Sequence, residues 1–297
     1  MRFDTTKYTK MAHRFKNTGI ELEEKTIAMV LQYFDAMGNL YNLMPVEKVL
    51  GIINAQNEEQ LCKEDFYRLM EMTEMEKVFY AFLSPAELMD ENAVSPPSER
   101  YLMQESLYAV DGVYEEILKA QFGKSFYIPE KEELLRYADD TFFGSDISTE
   151  NFTHYFREVL HLNAAETSEY LDETLIMLEH NRELDRLFFD YARMGIELTL
   201  DQIKELMPIL TELASQVRSP YYCGHTAAEV GVVPAFTKTA EEIYQEASRT
   251  MDMFGQMRTL LAMKGMMPPD MMKKPSKNGP CPCGSGKKYK RCCGKGK

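Results

Sequence analysis

A chain of 297 residues with 44% apolar content can bury the cores of two domains, and its 27% charged fraction is ordinary for a folded protein, which excludes wholesale disorder. Its apolar runs are short, which excludes a membrane-spanning helix of about 20 apolar residues. The net charge of −13 is unevenly spread: residues 273–297 hold nine Lys or Arg and no acid, leaving 25 basic against 47 acidic groups, a net −22, in the 272 residues before them. That split predicts an acidic body and a cationic tail that seeks an anionic partner.

Residues 1–20 read as an N-terminal arm. Lys7, Lys10, Arg14 and Lys16 stand where a secretory leader would place its apolar stretch, so a cytoplasmic location is expected. Residues 21–125 follow a winged-helix-like order. The first ordered element is predicted at 24–37, where Ile27, Val30, Leu31 and Phe34 repeat at helical spacing and Gly38 and Asn39 supply a stop. A second helix starts at Pro45, with Val46, Val49, Leu50 and Ile53 as its stripe. A third spans 63–72. Strand, long turn and strand follow, from Lys77–Phe82 through Ser95, Pro96, Pro97 and Ser98 to Arg100–Met103. Three helices and a β-ribbon usually signal DNA binding. The third helix, however, carries Lys63 and Arg68 among Glu64, Asp65 and Glu71, so it lacks the cationic face that phosphates require. A structural or protein-binding module fits the charges better.

A helical domain is predicted over 126–235 as an antiparallel bundle, with amphipathic stretches at 130–138, 148–161, 165–179, 183–194 and 200–216, after an earlier helix ending near Gly123. A Pro- and Gly-containing loop at 219–225 then leads to Thr226 and Glu229, a capping-box pair expected to open a short helix. Residues 236–272 form a methionine-rich helix and linker, again opened by a capping pair, Thr239 and Glu242. Flexible thioethers there could grip varied apolar partners, although packing onto the body is the simpler reading.

Three constellations in the body invite a catalytic or metal-binding reading and have plainer ones. His154, Glu158 and His161 fall on one predicted helix face among Phe152, Tyr155 and Phe156, which suits packing and capping. Asp139 and Asp140 follow a helix and suit a turn. Cys223 and His225 are two apart on a loop, a spacing that seldom joins thiol and imidazole.

The tail differs. Cys281 and Cys283 can grip one ion from a tight turn, and the adjacent Cys292 and Cys293 can complete a tetrahedron once Gly284 and Gly286 let the backbone loop back. Four thiolates on Zn²⁺ form a closed structural site with no open position for a reactive water. Lys287, Lys288, Lys290 and Arg291 in the loop offset the charge of the thiolates. Gly286 and Lys287 are not part of a phosphate-binding loop, because Cys281 and Lys288 occupy the places of its required Gly and Ser or Thr, so no nucleotide is expected.

The run from Cys281 to Cys293, Cys-Pro-Cys-Gly-Ser-Gly-Lys-Lys-Tyr-Lys-Arg-Cys-Cys, resembles the SEC-C motif, the zinc-binding tail of the bacterial preprotein translocase ATPase SecA. The fourth ligand of that family is often His; Cys293 makes this site all-sulfur. In SecA the tail contacts the export chaperone SecB and the ribosome. The resemblance therefore implies a docking element acting through Lys287, Lys288, Tyr289, Lys290 and Arg291 on the ribosome or an acidic chaperone, with RNA as a further anionic partner. Gly224–Glu229 also resembles a Gly-His-Thr-Pro-Ala-Glu segment of other SEC-C-tailed bacterial proteins of unassigned function, with Ala227 in place of the proline. The expected fold is thus mainly α: a winged-helix-like part with a small β-ribbon, a helical bundle and, at 273–297, a small zinc module. The expected role is a non-enzymatic adaptor, and the alternative is a nucleic-acid-binding regulator that uses the winged-helix-like part and the tail.

Overall fold

A computed structural model of the chain describes residues 5–90, 92–108, 112–180 and 183–263. The described residues pack as two compact units, one drawn from Met1–Asn181 and Glu212–Pro234, the other from Arg182–Thr211 and Ala235–Lys297. The fold is mainly helical, with one three-stranded antiparallel sheet among the described residues.

The first unit opens with α1 (Thr6–Lys16), a correction to the expected arm. Tyr8, Met11, Ala12 and Phe15 recur at helical spacing and are all buried, so the basic residues occupy only the outer face of a packed helix. Next, α2 (Glu24–Tyr41) runs through the predicted stop at Gly38 and ends on Asn42, whose φ of 54° lies in the left-handed region. Gly38 is accommodated inside the helix and lies beside Tyr80, where an added Cβ would make only ordinary van der Waals contact at 3.7 Å.

β1 (Leu43–Pro45) leads into α3 (Val46–Ala55) and α4 (Lys63–Thr73). β2 (Tyr80–Leu83) and β3 (Tyr101–Gln104) complete a sheet of order β1-β3-β2, with Leu43 opposite Met103 and Tyr80 opposite Gln104. Helix, strand, two helices and two strands give the winged-helix-like order, but with a third strand added to the expected ribbon. Strand alternation sends Met44 and Leu102 to one core and Leu43 and Met103 to another. In the larger core the ring of Phe34 meets Phe66, Tyr80 and Phe82 edge-on, at centroid distances of 5.7, 5.8 and 4.9 Å.

The long turn between β2 and β3 contains the short α5 (Pro85–Met89), capped reciprocally by Ser84 and Glu87. After β3 come α6 (Val113–Gln121), α7 (Lys131–Arg136), α8 (Glu150–His154) and α9 (Ala164–His180). A single π-helical turn, Tyr155–Val159, continues α8.

The second unit is built from α10 (Asp185–Met194), the larger part of α11 (Leu200–Gln216) and α12 (Ala240–Met263). Leu187, Phe188, Tyr191, Ile203, Leu206 and Ile243 are buried in it. The carboxylate of Asp185 accepts hydrogen bonds from the amides of Thr237 and Lys238 and from the Thr237 hydroxyl. The expected capping pair at Thr239 and Glu242 forms, with Thr239 N donating to Glu242 Oε2 at 2.8 Å and Glu242 N to Thr239 Oγ1 at 3.3 Å. Among the described methionines of α12, Met253 is exposed.

Candidate metal centre and the polar clusters of the body

The four cysteines at 281, 283, 292 and 293, and the basic loop from Lys287 to Arg291, lie outside the described residues. Their fit to a metal therefore rests on donor chemistry: four thiols in two pairs match the closed tetrahedral set of a structural zinc site. Among the described residues no group of three or more His, Cys, Asp or Glu side chains is gathered closely enough to hold a metal ion. The His154, Glu158 and His161 set is broken by the π turn after α8 and by His161 itself, whose φ of 58° turns the chain away from helix.

Asp139 behaves as a turn residue, its Oδ1 accepting from the amide and hydroxyl of Thr141 at 3.1 and 2.7 Å. Cys223 and His225 do not meet productively. The Cys223 thiol is buried and donates weakly to Gln121 O at 3.9 Å, and burial pushes its pKa up. The His225 ring instead stacks edge-on against Tyr127 and brings Nδ1 to 3.4 Å from Glu229.

The Gly224–Glu229 segment forms a dense polar cluster in the first unit. Thr226 N donates to Glu229 Oε2 at 3.0 Å and Glu229 N to Thr226 Oγ1 at 3.1 Å. This is a capping box in its hydrogen bonds, but the expected helix does not follow: the chain turns instead and reaches Gly231 at φ 71°. Arg218 grips the same carboxylate with its two terminal guanidinium nitrogens, Nη1 at 3.0 Å and Nη2 at 3.3 Å, donates from Nη1 to Gly224 O at 3.2 Å, and lies 3.5 Å from the ring centre of Tyr127. Burial opposes ionisation of Glu229, yet the Thr226 amide and Arg218 outweigh it and hold the carboxyl below its usual range. Tyr127 is fixed in turn by its amide, which donates to Cys223 O, and by its carbonyl, which accepts from Tyr41 Oη at 2.6 Å. A cavity of about 200 Å³ opens beside this cluster, with Glu133, Asp146, Arg218 and Glu229 among its walls. Sequence reasoning missed Arg218 because no spacing rule ties it to Glu229; a basic residue ahead of a paired Gly-His and Thr-x-x-Glu signal was the only clue.

A second missed cluster centres on Glu87. Its carboxylate accepts from the amides of Ser84 and Ser95 at 2.8 and 3.1 Å and from Arg100 Nη2 at 2.8 Å. Burial raises the cost of its charge, but Arg100 and the two amides prevail and lower the pKa to about 2. Neither cluster presents a nucleophile paired with a base.

The SEC-C motif model matches residues 278–295. The protein translocase subunit SecA of Nitratiruptor sp. is 83% identical over 23 residues, which are 8% of this chain and 3% of that protein. The SecA of Chlorobaculum tepidum is 32% identical over 123 residues, 40% of this chain and 11% of the relative. The SecA of Polynucleobacter necessarius is 25% identical over 174 residues, 58% of this chain and 17% of the relative. The chain thus carries a SEC-C motif and is similar to SecA at high identity over the short tail and weakly beyond it. It spans only 3 to 17% of the length of these three relatives. No solved structure matches.

Proposed function

We propose that this SEC-C-bearing chain is a non-enzymatic cytoplasmic adaptor: a zinc-organised tail docks it onto the ribosome or an acidic chaperone such as SecB, and the acidic helical body selects a second partner. One observation carries the reading. Residues 278–295 match the SEC-C motif, and the nine cations around it stand against a body of net −22. A closed Cys281, Cys283, Cys292 and Cys293 site would supply folding energy to a segment too short to bury a core of its own, and the lysines would present the anchor to an anionic surface.

The nucleic-acid alternative depends on the winged-helix-like part, and the cations of α4 are already engaged. Lys63 Nζ pairs with Glu47 at 2.6 Å, and Arg68 donates to the carbonyls of Thr18 and Gly19. RNA bound by the tail alone remains compatible with docking on a ribosome.

Two measurements test the proposal. Elemental analysis of purified protein should give about one zinc per chain, lost on combined Cys281→Ser and Cys292→Ser substitution. Co-sedimentation with purified ribosomes, and binding to purified SecB, should then show at least one partner retained by the native chain and released by that variant. Metal-free native protein, or retention of both partners by the variant, would overturn the proposal.

A further inference from the structure

We infer that a cleft on the first unit, between α1 and the segment leading into β2, takes an acidic peptide carrying a large apolar side chain and so gives the body its second partner. The inference rests on the adaptor reading for its setting and on the cleft for its chemistry.

The cleft has a volume of about 420 Å³. Its cations are Lys7, Lys10, Arg14 and Lys77, and its acids are Asp35 and Glu76. Both acids are already satisfied. Asp35 accepts from Tyr8 Oη and Lys7 Nζ, each at 2.6 Å, and Glu76 is held by Arg14 through Nε at 3.1 Å and Nη2 at 2.6 Å. Lys10 and Lys77, both exposed, form no ion pair among the described residues. The cleft therefore carries two uncompensated ammonium groups on a body that is otherwise strongly acidic.

Its apolar lining matches this. Met11 and Leu31 are buried and Val78 is half-buried, while Met75 and Phe79 stand 90% and 68% exposed beside them. Two large apolar side chains left in water next to a lined cleft are a surface that a partner's apolar side chain would cover. Methionine adapts its shape to such a guest at small cost.

Charge decides the occupant. A basic or neutral peptide would leave both ammonium groups uncompensated. A single-stranded nucleic acid gains mainly by releasing counterions from many phosphates, and two free lysines supply a salt slope of only about −1.4. A short acidic segment needs only two or three carboxylates to match the lysines, and its apolar residue supplies the burial.

Fluorescence anisotropy with the full chain tests this, using a fluorescein-labelled decapeptide that mixes Asp and Glu with Leu and Phe. The comparison probes are the same peptide with Ser for its apolar residues and a uridine decanucleotide. The acidic apolar peptide should bind at least about tenfold more tightly than the Ser peptide. Combined Lys10→Glu and Lys77→Glu, and separately Phe79→Ser, should each weaken it at least about fivefold with unchanged thermal melting, since all three side chains are exposed. The Cys281→Ser and Cys292→Ser variant should bind the peptide like the native chain, which separates this result from failure of tail docking. Equal binding of the two peptides, preference for the uridine probe, insensitivity to the cleft substitutions, or loss on cysteine substitution would each overturn the inference.

Discussion

Glu87 stays ionised although only 7% of its side chain is exposed, because Arg100 and the amides of Ser84 and Ser95 all point at its oxygens. With its folded pKa lowered to about 2 from an ordinary value of 4.5, its contribution to stability is complete above pH 4.5 and is lost as pH falls towards 2. Glu87→Gln should cost about 1.5–3 kcal/mol at neutral pH and flatten the decline of the urea midpoint between pH 5 and about 2; a parallel decline in both proteins would count against this account. Gly224 makes a second residue-scale case. An added Cβ would sit 2.6 Å from Cε1 of Tyr41 at a φ of +80°, and Tyr41 is fully buried and bonded to Tyr127 O. Gly224→Ala should cost about 1–3 kcal/mol more than Gly231→Ala, which has a similar φ of +71° but nothing within 4 Å, as read from urea denaturation. The sequence offered both Gly224 and Glu229 as a motif, whereas Glu87 belongs to no spacing pattern, because its partners come from up to 13 residues away along the chain.

At the scale of elements, long amphipathic stretches were legible, and short ones, or one whose apolar face lies among basic residues, were not. α9, α11 and α12 begin or end within a residue or two of the sequence-based bounds because several turns of repeat define each face. α1 was hidden: its basic residues drew the eye to charge, whereas Tyr8, Met11, Ala12 and Phe15 carry its packing. Phe15→Ala should therefore destabilise the protein by roughly 3–5 kcal/mol, a loss that an exposed arm would not suffer, measured by chemical denaturation. β1 has only three residues and includes a proline, too few for an alternation to register. Thr226 and Glu229 make the bonds of a capping box without a helix behind them, so the local chemistry was legible but its continuation was set by Gly231 and the turn.

At the scale of the whole molecule, the chain joins a body whose described residues hold their own cores to a cationic SEC-C tail. Four cysteines within 13 residues made the resemblance of the tail to the SEC-C motif legible from sequence, because such a motif is a local pattern. The cleft proposed as the body's binding site was not legible in the sequence, because it unites side chains from α1, α2 and the segment before β2 that no sequence spacing relates. The central claim is that the tail anchors the chain while the body folds without it. It is tested most directly by passing cell lysate over two immobilised baits, the full chain and a chain ending at residue 272, and quantifying bound proteins and RNA. The account predicts a cooperative melt for both baits and recovery of ribosomal components or an acidic chaperone by the full chain alone. Equal recovery of every partner by the two would contradict it.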